Sequence, residues 1–296
     1  MKKNPKINTV KITDAEYPSL LKEIPNAPEM FYLLGELPKD DIIKVAIVGT
    51  RKAGAAGRRF AKELAQKLTE LGVIIVSGLA MGIDTAAHEG AVLAGGKTIA
   101  VLANGLDTIY PAQNENLAEK ILEFGGAIIS EYKPGTPSFQ NQFLERNRIV
   151  SGLSIATIVI EAPERSGSIV TARLAAEQGR DVFVVPGSID NPNHRGSHQL
   201  IRDGARLVAS IDDILEDLNI NQNVKIKNQN NNLKLKNNIK DENQLLIYKT
   251  LQESGNPLTI DEIIEITKLK THIANQSVAF LIISGIIKET RSGYSL

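Results

Sequence analysis

The sequence predicts an α/β protein built on a mostly parallel sheet with helices on both faces, followed by a small helical domain. Three observations carry that reading. Six short apolar runs alternate with helical patterns at βαβ spacing. Glycine-containing breaks follow the first two runs, where an open α/β sheet places its ligands. An asparagine- and lysine-rich stretch then separates this series from a last segment of different pattern.

Residues 1–40 read as a lead-in segment, broken by prolines, whose apolar cluster Met30–Leu34 packs on the edge of the sheet. The domain proper, 41–218, opens with the apolar run Val45–Val48, the turn Gly49-Thr50-Arg51 and a helix from about Gly57. A second run, Val73–Val76, ends at Ser77-Gly78. Backbone N–H groups in small-residue turns that open helices favour anions, and Arg51 adds a planar fork for phosphate. The pair of turns is therefore expected to form a phosphate-binding edge. It is not a dinucleotide fingerprint, because the first turn lacks G-x-G-x-x-G and no acidic residue closes the second strand. No G-x-x-x-x-G-K-[ST] string occurs either.

A small-residue helix from Ile83 to Leu93 follows, ending at Gly95-Gly96. It carries Asp84 and His88 four apart, open to two readings, an acid–base pair or structural hydrogen bonds, of which the second is expected. Thr98–Ala103 is a third strand, 114–124 a helix and Ala127–Ser130 a fourth strand. The polar segment after it becomes a helix carrying Phe143, Arg146, Asn147 and Arg148, an aromatic beside arginines, which suits base stacking with phosphate contact. Ile155–Ile160 is a fifth strand. Ser166, Gly167 and Ser168 then open a helix that Gly179 ends, a third candidate anion site at a positive helix end. Asp181–Val185 is the sixth strand, and a loop, a short helix, a short strand and the helix IDDILEDL complete the domain.

Residues 219–240 form a flexible linker with five lysines and no acid. Residues 241–296 read as a winged helix: three helices, the second with a Thr259/Glu262 capping box, a stop at Gly285 and a strand pair turned at Ser292-Gly293. Its five basic residues face seven acids, so protein contact is expected of it rather than duplex reading.

Composition excludes several chemistries. The absence of cysteine removes disulfides, thiol catalysis and cysteine metal sites. His194 and His198 are close but lie in a loop pattern, so no metal is expected, nor any cofactor. Lys and Arg balance Asp and Glu at 34 each, which argues against a general polycation and leaves room for a local basic pocket. No signal-peptide pattern or membrane span is present, and a cytoplasmic location is expected.

Seven strings in order, VGTRKAGAAGRRFA, SGLAMGIDTAAHEGA, TIAVLANGLDTIYPAQN, SEY, FLERNRIVSGLS, EAPERSGSIVTARLA and VFVVPGSID, resemble the DprA (Smf) family of DNA-processing proteins of natural transformation. The resemblance covers about Tyr17 to Leu218. It implies an extended Rossmann-like domain that binds single-stranded DNA without catalysing a reaction, forms a homodimer and helps load the RecA recombinase. By motif it makes Arg51 the DNA-binding arginine, with Gly49 and Thr50 on the same phosphate, and Phe143 the base-stacking aromatic near Arg146 and Arg148. Three departures stand out. Ala112 replaces a basic residue of some relatives, Leu144-Glu145 alter the string before R-N-R, and the helical domain that many relatives carry before the lead-in has no counterpart. Two other readings remain: a nucleotide N-glycoside hydrolase of the same superfamily using Glu161 or Glu177, though without its P-G-G-x-G-T string, and a scaffold that recruits partners through the winged helix.

Overall fold

The structure is a computed structural model that describes residues 6–220, 241–283, 286–290 and 292–295. The chain divides into two compact units, Met1–Asn221 and Gln222–Leu296.

The first unit is a nine-stranded sheet: β1 (Asn8–Lys11), β2 (Met30–Gly35), β3 (Lys44–Val48), β4 (Ile74–Ser77), β5 (Thr98–Leu102), β6 (Ala127–Ser130), β7 (Ala156–Val159), β8 (Asp181–Val184) and β9 (Arg206–Leu207). Their spatial order is β1-β2-β6-β5-β4-β3-β7-β8-β9. From β6 to β9 all pairs are parallel, while β2 joins β6, and β1 joins β2, in antiparallel fashion. The helices are α1 (Ser19–Lys22), α2 (Ala55–Glu70), α3 (Ile83–Leu93), α4 (Glu115–Glu123), α5 (Gln140–Gly152), α6 (Gly167–Glu177), α7 (Arg195–Arg202) and α8 (Ile211–Asp217).

Both faces of the sheet are covered, which explains why its inner strands are apolar throughout rather than alternating. In β5, Ile99 and Val101 enter a core with Leu21, Ile149, Val150, Ile169 and Leu200, on the side of α1, α5, α6 and α7. Ala100 and Leu102 enter the opposite core with Leu117, Ala118 and Ile121 of α4. The lead-in meets the sheet at its edge, and it does so by extending the sheet, with Leu33 pairing with Ile129 and Phe31 fully buried. A run of aromatic and aliphatic residues beside an unpaired strand gains ladder hydrogen bonds and burial together, which surface packing alone would not provide.

The second unit contains α9 (Glu242–Ser254), α10 (Ile260–Thr267), α11 (Thr271–Ile283) and a hairpin of β10 (Lys288–Thr290) and β11 (Gly293–Ser295). This is the element content expected from the sequence. The Thr259/Glu262 capping box is formed, and Ile247, Leu251, Ile263, Val278 and Leu281 make a separate core. The linker, apart from Asn219 and Ile220, and the Gly285 stop fall outside the described residues. Among the described residues no helix is long and apolar enough to cross a membrane.

Candidate functional site

Strands β3, β4, β5 and β6 step in one direction across the sheet; β7, β8 and β9 step in the other from the far side of β3. The reversal leaves a crevice above the carboxyl ends of β3 and β7, the usual ligand position in an open α/β sheet. A cleft of about 650 Å³ lies there, lined by the turns after β3, β4 and β7 and by one face of α5.

The turn after β3 is already supplied with an anion. Glu161, 3% exposed at the end of β7, accepts from the Gly54 N–H at the start of α2 (3.2 Å) and from Asn193 Nδ2 (2.9 Å). Asn193 also donates to the Lys52 carbonyl (3.1 Å), and the Thr50 N–H donates to the Glu161 carbonyl (2.8 Å). The carboxylate lies so close to α2 that a Cβ at position 57 would overlap Glu161 Oε1, so this position needs glycine. No local side chain caps α2. Its cap arrives from a residue 107 positions away, and the helix starts at Ala55 rather than near Gly57.

The turn after β4 is filled in the same manner. Asp84, at the first turn of α3, accepts from Gly78 N–H (3.1 Å) and Ala80 N–H (3.4 Å). Arg146 of α5, 4% exposed, donates to the carbonyls of Gly78 (2.8 Å) and Val101. Burial pushes the Arg146 guanidinium down to about 10, Asp84 opposes the shift, and the like charge of Arg51 adds to it. Burial likewise raises the Asp84 carboxyl, against the pull of Arg146 and of the two N–H groups. His88 does not meet Asp84; its Nδ1 lies 2.8 Å from the Thr98 hydroxyl, which donates to Ile75 O, so both residues are structural.

The turn after β7 is different. Ser166 precedes α6 without its side chain capping the helix, and its hydroxyl meets that of Ser168 (2.8 Å). Gly167 is exposed, and the N-terminus of α6 lines the cleft with no carboxylate among the cleft residues near it in sequence. Opposite stands α5, whose 143, 146, 147 and 150 positions share the cleft-facing stripe at helical spacing. Arg51 Cζ sits 4.6 Å over the Phe143 ring, Arg146 Cζ 6.0 Å from it, and Tyr110 lies 5.6 Å away at 53°. Arg51 is exposed and forms no ion pair among the described residues. An aromatic pair flanked by cations thus faces an open helix N-terminus.

Of the sequence-predicted residues, Gly49, Thr50, Arg51, Gly78, Phe143, Arg146, Asn147, Ser166, Gly167 and Ser168 line this one cleft. Their roles separate. Thr50 and Gly78 have their N–H groups taken up within the protein, and Arg146 is a buried support. Asn147 Nδ2 donates to Gly167 O (3.1 Å), tying α5 to the open turn. Two residues are placed elsewhere. Ser77 is fully buried and donates to Ile47 O (2.7 Å), because a hydroxyl inside a parallel sheet must find a partner there. Arg148 projects from another side of α5 onto Glu131, with Nη2 at 2.7 and 2.9 Å from the two carboxylate oxygens, since one position past 147 turns the side chain by about 100°.

Among the lining residues that sequence reasoning did not single out are Lys52, Arg165 and Tyr110. Lys52 and Arg165 flank predicted turns, so adjacency was the available signal. Tyr110 reaches Phe143 only through tertiary packing. Of the departures, Leu144 is on the cleft rim, 48% exposed. Glu145 is not in the lining and accepts from Tyr132 Oη (2.8 Å) and Asn141 (3.2 Å). For the hydrolase reading, neither Glu161 nor Glu177 lines the cleft, and Glu161 is held by Gly54 and Asn193.

Comparison with known proteins agrees with this architecture. The family model for DNA recombination-mediator protein A matches residues 8–219. Protein Smf of Escherichia coli is 46% identical over 202 residues, 68% of this chain and 54% of that protein. DNA processing protein DprA of Streptococcus pneumoniae is 45% identical over 210 residues, 71% of this chain and 74% of its own length. The chain thus spans about half the length of some relatives it matches. The X-ray structure of the S. pneumoniae protein superimposes with a TM-score of 0.67 over 71% of this chain and 74% of its own. DNA processing protein A of Helicobacter pylori, described for its single-stranded DNA binding mode, gives 0.65 at 31% identity, over 74% of this chain and 98% of that one. With a family model spanning the whole sheet and relatives above 40% identity, the chain belongs to the DNA recombination-mediator protein A family of DNA-processing proteins.

Proposed function

We propose that the cleft binds single-stranded DNA. One observation carries the reading: the exposed Arg51 guanidinium lies over Phe143, beside Tyr110, across from an open helix N-terminus. A nucleotide entering here meets an aromatic pair for its base and a cation for its phosphate at the same point. Bases in a duplex are stacked on each other and do not reach such a floor, so the chemistry favours a single strand. Stacking on an aromatic contributes about 1–3 kcal/mol per base whatever the sequence, which suits processing of DNA of any origin. The family resemblance extends the proposal to natural transformation, with a homodimer that protects incoming strands and helps load RecA; the second unit, as a winged helix, is then a protein-contact module.

The test is fluorescence anisotropy of a labelled oligothymidylate and a matched duplex across a salt series. Wild type should prefer the single strand. Arg51→Ala should weaken binding by about tenfold or more and lower the salt slope by roughly 0.7, with the melting temperature unchanged. Phe143→Ala should cost about 1–3 kcal/mol of affinity with little change in slope. Equal affinity of wild type for duplex and single strand would overturn the reading.

A further inference from the structure

Beside the cleft, between α2 and α3, lies a hollow of about 390 Å³ lined by Arg58, Arg59, Lys62, Met81, Gly82 and Glu89 among others. We propose that it is a second phosphate subsite for the same single strand, which leaves the cleft over the Arg51 turn and runs along the N-terminal half of α2. The inference rests on the single-strand reading of the cleft and adds the direction in which the strand continues.

Cleft and hollow share a wall. Gly82 has a φ of +88°, and a Cβ there would overlap Thr50 O and stand 2.7 Å from Arg51 O, so the hollow is packed directly against the loop that carries Arg51. Arg58 Nη1 donates to the carbonyl of Ala53, the residue after Lys52, which brings a guanidinium to the end of that loop. Lys62 stands one further turn along α2, about 6 Å on at 1.5 Å per residue. Arg51, Lys52, Arg58, Arg59 and Lys62 therefore form one cationic edge, in a chain whose charges balance as a whole.

The carboxylates on this edge do not neutralise it firmly. Lys62 meets Glu89 at 3.5 Å with both side chains more than 40% exposed, and Arg59 meets Glu63 at 3.9 Å with both at 60% or more. Exposed pairs of this kind are weak and exchange readily for a phosphate. Met81, 43% exposed in the wall of the hollow, offers a polarizable apolar surface to a base.

The experiment compares a short oligothymidylate of about four nucleotides with a longer one of about twelve. Each is titrated by anisotropy across a salt series with the full chain and with the double variant Arg59→Ala/Lys62→Ala. Both side chains are solvent-facing, and the melting temperature checks that the fold is kept. Wild type is expected to bind the longer strand more tightly and with a steeper salt slope. The variant should bind the short strand as wild type does, lose about tenfold on the long one, and lose roughly 0.7 of slope per missing phosphate contact. Wild-type affinity and slope of the variant on the long strand would overturn the subsite, as would equal loss on both lengths. If wild type binds short and long strands alike, the subsite fails while the cleft stands; if it binds neither, the single-strand reading itself fails.

Discussion

The turns after β3 and β4 and the turn after β7 open on the same crevice and differ in who provides the anion. At the first two the protein provides its own: Glu161 meets the Gly54 N–H, and Asp84 meets those of Gly78 and Ala80. At the third, the N-terminus of α6 has no side-chain cap and lines the cleft. A small-residue turn at a strand end is electropositive in every case. Where an internal carboxylate fills it, the turn becomes rigid support for Arg51 and Phe143. Where none does, it stays available to an outside phosphate. The difference also separates the arginines, since Arg146 belongs to a filled turn and is buried, while Arg51 stands in the open.

The largest effect should come from emptying a filled turn. Asp84→Ala leaves the buried Arg146 guanidinium without its counter-charge and two N–H groups without an acceptor, and should cost about 3–5 kcal/mol of stability. Urea denaturation measures it, and an unchanged midpoint would mean that Asp84 is not the support described.

A second effect concerns the base of the same filled turn. His88 on α3 is fully buried, and burial pushes its imidazole down to about 3. A histidine whose folded pKa lies below its unfolded value of about 6.5 binds fewer protons folded than unfolded in between. Its stabilising effect is therefore complete above about pH 6.5 and is lost progressively as pH falls towards 3. Between pH 6 and 5 the slope from this residue should approach about 1.4 kcal/mol per pH unit. His194, whose imidazole is also lowered by burial, acts in the same direction. Denaturation midpoints of wild type and His88→Gln at pH 7, 6 and 5 (about one unit apart) test this; an equally steep slope in the variant removes His88 as its source.

The smallest effect should come from closing the open turn. Ser166→Asp puts a carboxylate at the N-terminus of α6, where it should stabilise the helix by about 0.3–1 kcal/mol. The same change should weaken single-strand binding several-fold by occupying the site a phosphate would use. Thermal melting and anisotropy on the one variant read both signs. Stronger binding after the substitution would show that α6 does not face the strand.

Much of the fold was legible in the sequence because burial on both faces leaves a parallel strand apolar along its length, a signal that needs no partner to be seen. The lead-in was less legible. Met30–Leu34 shows that the segment is buried but not that Tyr32 to Gly35 pair with Ser130 to Ala127, a contact about a hundred residues away. At the candidate site, adjacency to a glycine turn singled out Arg51, and an aromatic before R-N-R singled out Phe143; both line the cleft. The same reasoning could not sort Arg146 from Arg148, because a shift of two positions on a helix sends one guanidinium under the Gly78 turn and the other to Glu131.

The sequence by itself determined the alternation of strands and helices, the three turns at one edge of the sheet, and the residue types able to hold phosphate and base. Tertiary structure alone decided which of those turns are open. The anions of the filled turns come from Glu161, brought by strand pairing to the start of α2, and from Asp84, turned back onto Gly78. A local pattern records which groups can bind an anion. Whether the protein has already supplied one depends on what the fold carries across the sheet.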